Sequence, residues 1–379
     1  MLLALGSDQE LFRETTAKLL DELVPVGELR RLRDDPVGFD RAYWRRGAEL
    51  GWSSLLVGEE HGGGSIGDHG LVDLTLVAHE FGRHAAPGPL AVTNVVAATL
   101  SEVGGDEFDA VLGGLMSGES IATWCLSEPP PDDGLGAVSL EARVEGDEVV
   151  LNGVKRPVES AAAADHLLVT GRTGAGLTQV LVPAAAPGVS IAPMQSVDLT
   201  RRFSVVSFDH VRVPLLGGLV GELGGAGEQV ERQLERALAI SNAESVGAMQ
   251  RTFEMTVEWA FDRYSFGRPL ASYQELKHRF ADMKTWLEAS HAVSDAATTA
   301  VASGSDEAAE LLSAAKSFIG DYGAELMQDC VQIHGGIGVT FEHDVHLYLR
   351  RHTANRALYG TPADHRQRLA EMTEKSKEA

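Results

Sequence analysis

The sequence predicts an α+β, mainly α-helical protein: a helical N-terminal domain, a β-rich central domain and a C-terminal helical bundle. Two observations predict this order. Apolar residues recur at helical spacing up to about residue 118 and again from about 226, and they alternate at the two-residue period of strands between those zones. A chain of 379 residues is also long enough for two or three domains. The expected domains are residues 1–118, 119–216 and 226–379.

The first zone opens with Glu10–Leu23, where Leu11, Thr15, Leu19 and Leu23 recur every fourth position and Asp8 is placed to cap the helix. Phe39–Leu50 and Leu71–Phe81 repeat the pattern, and Glu60-His61-Gly62-Gly63-Gly64 between them reads as a loop. In the middle zone Val144, Val149, Leu151 and Val154 flank a turn at Gly146-Asp147. The runs His166–Thr170, Gln179–Val182 and Phe203–Phe208 are short and β-branched, which suits a small antiparallel barrel or sandwich. Gly217 to Gly227 reads as a linker. Beyond it lie three long stripes: Val230 to Ala260, Tyr273 to Leu287, and Leu311, Ala315, Phe318, Tyr322 and Leu326. Stripes of this length are those of an antiparallel bundle.

Composition narrows the function. The formal net charge of −23 sets the chain against phosphate backbones and anionic lipid surfaces, so neither nucleic acid nor membrane is an expected partner. Two cysteines far apart, Cys125 and Cys330, make no disulfide scaffold. No apolar run reaches the ~18 residues of a membrane span, and the N-terminus lacks a basic signal-peptide segment, so a cytoplasmic location is expected. His334, His343, His346 and His352 cluster in sequence, but a metal site would want Cys, Asp or Glu at defined offsets from them, and no metal is expected.

Two segments carry chemistry. Asp262-Arg263-Tyr264-Ser265-Phe266-Gly267-Arg268-Pro269-Leu270, followed by Ser272-Tyr273-Gln274, is a tight connection between long helices. Its two guanidiniums suit a pyrophosphate and its aromatic residue suits a ring. Gln332-Ile333-His334-Gly335-Gly336-Ile337-Gly338 places three glycines at a helix end, where a ligand or another backbone can approach. Each segment read alone is equally an ordinary helix corner or cap.

Together with Phe208-Asp209-His210-Val211-Arg212-Val213-Pro214, these segments resemble the acyl-CoA dehydrogenase family over nearly the whole chain. The resemblance implies a helical domain, a β-barrel and a four-helix bundle around FAD, in a tetramer built from dimers. It also implies α,β-desaturation of an acyl-CoA: a carboxylate takes the α-proton, hydride passes to the flavin, and electrons leave through an electron-transfer flavoprotein. The residues that reach a neighbouring subunit's FAD in that family match Arg263, Ser265, Phe266, Tyr273, Gln274, Gln332, Ile333, His334, Gly335 and Gly336 here.

Departures from the pattern are as informative. A Gly-rich Glu-Pro-Gly-x-Gly-Ser-Asp loop is replaced by Ser127-Glu128-Pro129-Pro130-Pro131-Asp132-Asp133-Gly134, and prolines remove backbone donors. The Trp-Ile-Thr run beside the flavin ring is replaced by Pro157-Val158-Glu159, and the family's catalytic Glu position holds Tyr359. A phenol with a pKa near ~10 is a poor base at neutral pH. Glu235 and Glu244 are the substitute bases on the first long bundle helix, although the alternative family position falls on Ala237. These departures imply a subunit of an α2β2 acyl-CoA dehydrogenase, of the kind acting on steroid side-chain CoA thioesters. Such a subunit lends its cross-subunit residues to FAD in a paralogous catalytic chain, which also holds most of the acyl-CoA. The alternatives are a self-sufficient homotetramer using Glu235 or Glu244, and a flavin-free scaffold or binding protein of the same fold.

Overall fold

Five helices open the chain: α1 (Ser7–Leu23), α2 (Arg41–Glu49), α3 (Gly70–His84), α4 (Leu90–Val103) and α5 (Asp109–Met116). They belong to a computed structural model that describes residues 5–129 and 138–378. The first helix corrects two expectations. It starts at Ser7 with Gly6 as its cap, because the Gln9 side chain reaches back to accept from the Gly6 N–H at 3.0 Å; Asp8 lies inside the first turn. Its buried face is Phe12, Thr16 and Leu20, whereas Leu11 is 62% exposed. Thr16 accounts for the rotation: its hydroxyl accepts from the buried Trp52 indole at 3.1 Å and turns that line of the helix inward.

The central domain comprises β1 (Ala122–Cys125), β2 (Glu141–Glu145), β3 (Glu148–Glu159), β4 (His166–Thr173), β5 (Gly176–Pro183), β6 (Val189–Met194), β7 (Phe203–Pro214) and β8 (Leu219–Val220). They form one sheet in the order β6-β7-β3-β2-β4-β5-β8, with β1 and β2 sharing an edge of β4. The segment read as a linker supplies β8, which pairs with β5. Alternation puts Val149 and Leu151 of β3 into a core shared with Leu167, Val180, Val206 and Val211, so strands along the whole sheet wrap one interior.

The bundle consists of α6 (Gly227–Asp262), α7 (Gln274–Ala302), α8 (Ala308–His334) and α9 (Val345–Ala357), with α10 (Pro362–Glu378) against α8. On α8 the buried line is Leu312, Ala315, Ile319, Leu326 and Cys330. Phe318 and Tyr322 of the expected stripe lie at its margin, where they cluster with Trp286 of α7. Glycines set one close contact: a Cβ on Gly82 of α3 would collide with the Glu244 carbonyl oxygen, and one on Gly247 of α6 would collide with that of His79. The N-terminal domain is thereby pressed onto the middle of α6. Among the described residues no helix is long and apolar enough to cross a membrane.

Candidate functional site

The first chemical segment folds as a two-stranded hairpin, β9 (Tyr264–Ser265) and β10 (Arg268–Pro269), between α6 and α7. Phe266 and Gly267 both take positive φ, +50° and +78°, which is the twist a two-residue hairpin demands. Phenylalanine accepts that conformation at a cost, and here it is 98% exposed. The Tyr273 hydroxyl donates to the Ser265 carbonyl at 2.6 Å, and the Arg268 guanidinium lies 3.8 Å from the Tyr273 ring centroid. Gln274 is exposed at the start of α7. Among the described residues neither Arg263 nor Arg268 enters an ion pair.

Trp259, which the sequence reading passed over, joins this hairpin to the second segment. Arg263 sits 6.0 Å above its ring, and the same ring stacks on His334 at 5.3 Å. His334 Nδ1 is tied to the Cys330 carbonyl at 2.8 Å, and burial holds its pKa below the ordinary imidazole value. Its Nε2 and the Trp259 indole nitrogen are buried without a hydrogen-bond partner among the described residues. Gly335 and Gly336 leave open space where a Cβ would stand; Gln332 is exposed and Ile333 half-buried beside them. The structure therefore brings both predicted segments together through the Trp259–His334 stack, with the Arg263 and Arg268 guanidiniums and the Gly335-Gly336 backbone exposed on the outside. Exposed guanidiniums beside accessible backbone are groups that can meet an anionic ligand.

The positions facing inward are built differently. Glu128 of the substituted loop is held within the β domain: it accepts from the Ser139 and Leu140 amides at 2.8 and 2.9 Å and pairs with buried Lys155 at 2.6 Å. Pro130 to Gly134 lie outside the described residues. Glu159, at the end of β3, is buried with both carboxylate oxygens lacking a hydrogen bond among the described residues, and Arg201 Nε stands 3.2 Å from one of them. Burial raises its pKa.

Tyr359 takes φ +58° and lies over Trp124, with ring centroids 6.4 Å apart. Burial, then the nearby Glu159, push the pKa of its phenol up, which removes it further from service as a base. Glu244 has both oxygens engaged, at 2.5 Å from Arg201 and 2.5 Å from Arg351. Glu235 lines a separate cleft of about 470 Å³ with His69, Arg232, Arg236 and Ser305. Burial and Glu231 raise its pKa.

A flavin ring does not fit residues arranged in this way. Where the family pattern sets a Trp-Ile-Thr run beside the ring, the chain places the buried Glu159 carboxyl against Arg201. Arg201 and Arg351 were missed by sequence reasoning, although one signal was available. Glu244 falls on the buried stripe of α6 between Ser241 and Ala248, and a charge there needs a buried counter-charge.

Residues 6–119 match the acyl-CoA dehydrogenase N-terminal domain and residues 227–373 the acyl-CoA dehydrogenase C-terminal domain. The acyl-CoA dehydrogenase IpdE2 of Mycolicibacterium smegmatis is 30% identical over 96% of this chain and 98% of its own length. The mitochondrial isobutyryl-CoA dehydrogenase of Dictyostelium discoideum is 28% identical over 86% of this chain and 80% of its own. A variant of the Tcur3481–Tcur3483 steroid ACAD superposes with a TM-score of 0.88 at 26% identity, over 99% of both chains. Butyryl-CoA dehydrogenase from Megasphaera elsdenii shares the fold at TM-score 0.88 and 22% identity, over 98% of this chain and 100% of its own. By domain models and full-length relatives alike, this chain belongs to the acyl-CoA dehydrogenase family.

Proposed function

We propose that the chain is the partner subunit of an α2β2 acyl-CoA dehydrogenase, holding FAD in a paralogous catalytic chain rather than in its own pocket. One observation carries this reading: the surface of Arg263, Arg268 and the Gly335-Gly336 backbone is open and carries two guanidiniums, while the inward position holds Glu159 against Arg201. FAD, when bound, supplies the hydride acceptor for desaturation of the acyl-CoA. This chain's residues bind and orient. Arg263 and Arg268 supply charge for the cofactor's pyrophosphate, Phe266 covers a ring, and the Gly335-Gly336 backbone permits close approach. Ser265, Tyr273, Gln274, Gln332, Ile333 and His334 complete the cofactor-binding set, and the Tyr273 hydroxyl fixes the hairpin through the Ser265 carbonyl. No residue here is assigned the base: Tyr359 is a half-buried phenol with its pKa pushed up, and Glu244 is doubly ion-paired. The likeness to a steroid ACAD supports a CoA thioester of a steroid side chain as the substrate class, lying mainly in the catalytic chain. An electron-transfer flavoprotein is the matching electron acceptor.

Expression alone and with candidate catalytic acyl-CoA dehydrogenase chains tests the reading. The expected result is a colourless chain alone and a yellow complex with about one FAD per pair of chains. Arg263→Ala should weaken FAD retention in that complex about 10- to 100-fold, the range for a lost charge-assisted hydrogen bond. A single chain that purifies with one FAD per subunit and reduces a dye with an acyl-CoA is the homotetramer instead. A chain that no partner renders yellow is the flavin-free scaffold.

A further inference from the structure

Five buried charges meet between the β domain and the bundle: Glu159 from β3, Asp198 and Arg201 from the β6–β7 connection, Glu244 from the middle of α6, and Arg351 from α9. Arg351 is wholly buried. It reaches Asp198 at 2.5 Å and Glu244 at 2.5 Å, and it donates to the Thr200 hydroxyl and, at 3.0 Å, to the Ala86 carbonyl between α3 and α4. Arg201 donates to Asn355 Oδ1 at 2.6 Å and pairs with Glu244 and Glu159. Asn355 returns a hydrogen bond to Glu244 at 3.2 Å. The cluster thus ties all three domains at a single point, around the two positions, 159 and 359, that face the reacting ring in the family pattern.

We propose that this closed lattice of charges takes the place of a flavin ring in this subunit, clamping the β domain to the bundle with no ligand. For the absence of a ring from this pocket it rests on the partner-subunit reading; the clamp itself rests on the contacts. Three carboxylates face two guanidiniums, so one negative charge is in excess. Geometry identifies which. Asp198 accepts from Thr200 and Arg351, and Glu244 from Arg201, Arg351 and Asn355, whereas Glu159 accepts no hydrogen bond among the described residues. The groups facing Glu159 are Arg201, Glu244, Arg351 and Asp198, with Tyr359 beside it and Lys316 near Arg201. Burial raises the Glu159 pKa, so the fold favours its protonated form. That stabilisation is complete below the ordinary carboxylate range and is lost as pH rises through the elevated value.

Full-length chain carrying Glu159→Gln or Arg201→Gln, melted at pH 5 and pH 8, tests the clamp. Glu159→Gln mimics the protonated acid, so its melting temperature should gain on wild type between pH 5 and pH 8. Arg201→Gln takes one of the two guanidiniums from Glu244 and the guanidinium that faces Glu159, and should lose about 5 °C or more, or fail to fold. A wild-type to Glu159→Gln difference that is the same at both pH values overturns the proposal, as does an Arg201→Gln chain that melts with wild type. In the flavin-loaded complex, Glu159→Gln should leave the bound flavin's absorption bands in place. A shift would put a ring against Glu159 and overturn the closed lattice even with Arg263→Ala behaving as expected. Conversely, an Arg263→Ala complex with full flavin sinks the partner-subunit reading and leaves the melting result standing.

Discussion

Lys316 of α8 is 3% exposed, and its side-chain nitrogen donates to the carbonyl oxygens of Asn355 and Leu358, the latter at 2.9 Å, immediately before Tyr359. Burial, then repulsion from Arg201, push its pKa down to about 7. The fold therefore prefers the neutral amine, while the unfolded chain keeps its proton up to ~10.4. Unfolding above about pH 7 takes up a proton, so stability rises with pH across that window. Lys316→Met removes this rise and leaves two carbonyls without their donor, a cost of about 1–3 kcal/mol. Urea midpoints at pH 7 and pH 9.5 should show wild type gaining on the variant as pH rises. A constant gap means the lysine keeps its proton in the fold. At this scale the sequence exposes the site only partly. Arg263, Phe266 and His334 lie in short segments whose spacing is itself a signature. Arg201 and Arg351 stand far apart in the chain and acquire meaning only when folding brings Glu244 between them.

Elements are more legible than the faces they bury. The switch from helical to strand period marks the three zones, because backbone hydrogen bonding imposes 3.6 and 2 on any half-buried segment. Which stripe of an amphipathic helix turns inward depends on contacts the helix does not contain. On α1 the evenly spaced Leu11, Thr15, Leu19 and Leu23 give way to Phe12, Thr16 and Leu20 because Trp52 offers its indole N–H to Thr16. The two faces differ measurably. Phe12→Ala removes a ring from the core and should cost about 3–5 kcal/mol, whereas Leu11→Ala, at an exposed position, should stay within about 0.5 kcal/mol. Denaturant titration of both variants decides it, and equal losses would restore the leucine stripe. β8 is hidden for another reason: two residues carry too little alternation to register, and only the pairing of Leu219 and Val220 with β5 makes them a strand.

Across the whole molecule, buried imidazoles set the response to acid. His291, His352 and His365 lie in the bundle, and burial is the largest influence on each, lowering their pKa values to about 2, about 4 and about 4. His352 Nε2 faces the Gly320 carbonyl at 3.4 Å, and His365 Nε2 faces that of Tyr359 at 2.9 Å, so the neutral rings brace the elements on which Arg351 and Tyr359 stand. In the unfolded chain all three protonate near ~6.5. As pH falls below that value the unfolded state takes up protons that the fold refuses, and stability is lost down to about pH 4, and further for His291. Carboxylates held below their ordinary range add their losses at lower pH still, among them Asp198, where burial is outweighed by the Arg351 and Arg201 guanidiniums. The expected contribution of the three rings is an uptake of about two to three protons per chain on unfolding between pH 6 and 4.5, read from the slope of unfolding free energy against pH. His352→Gln should lower that slope by about one proton, while stability at pH 8 stays within about 3 kcal/mol of wild type. A slope that is flat from pH 6.5 to 5 would mean these imidazoles protonate within the fold, and that the bundle beneath Tyr359 admits charge.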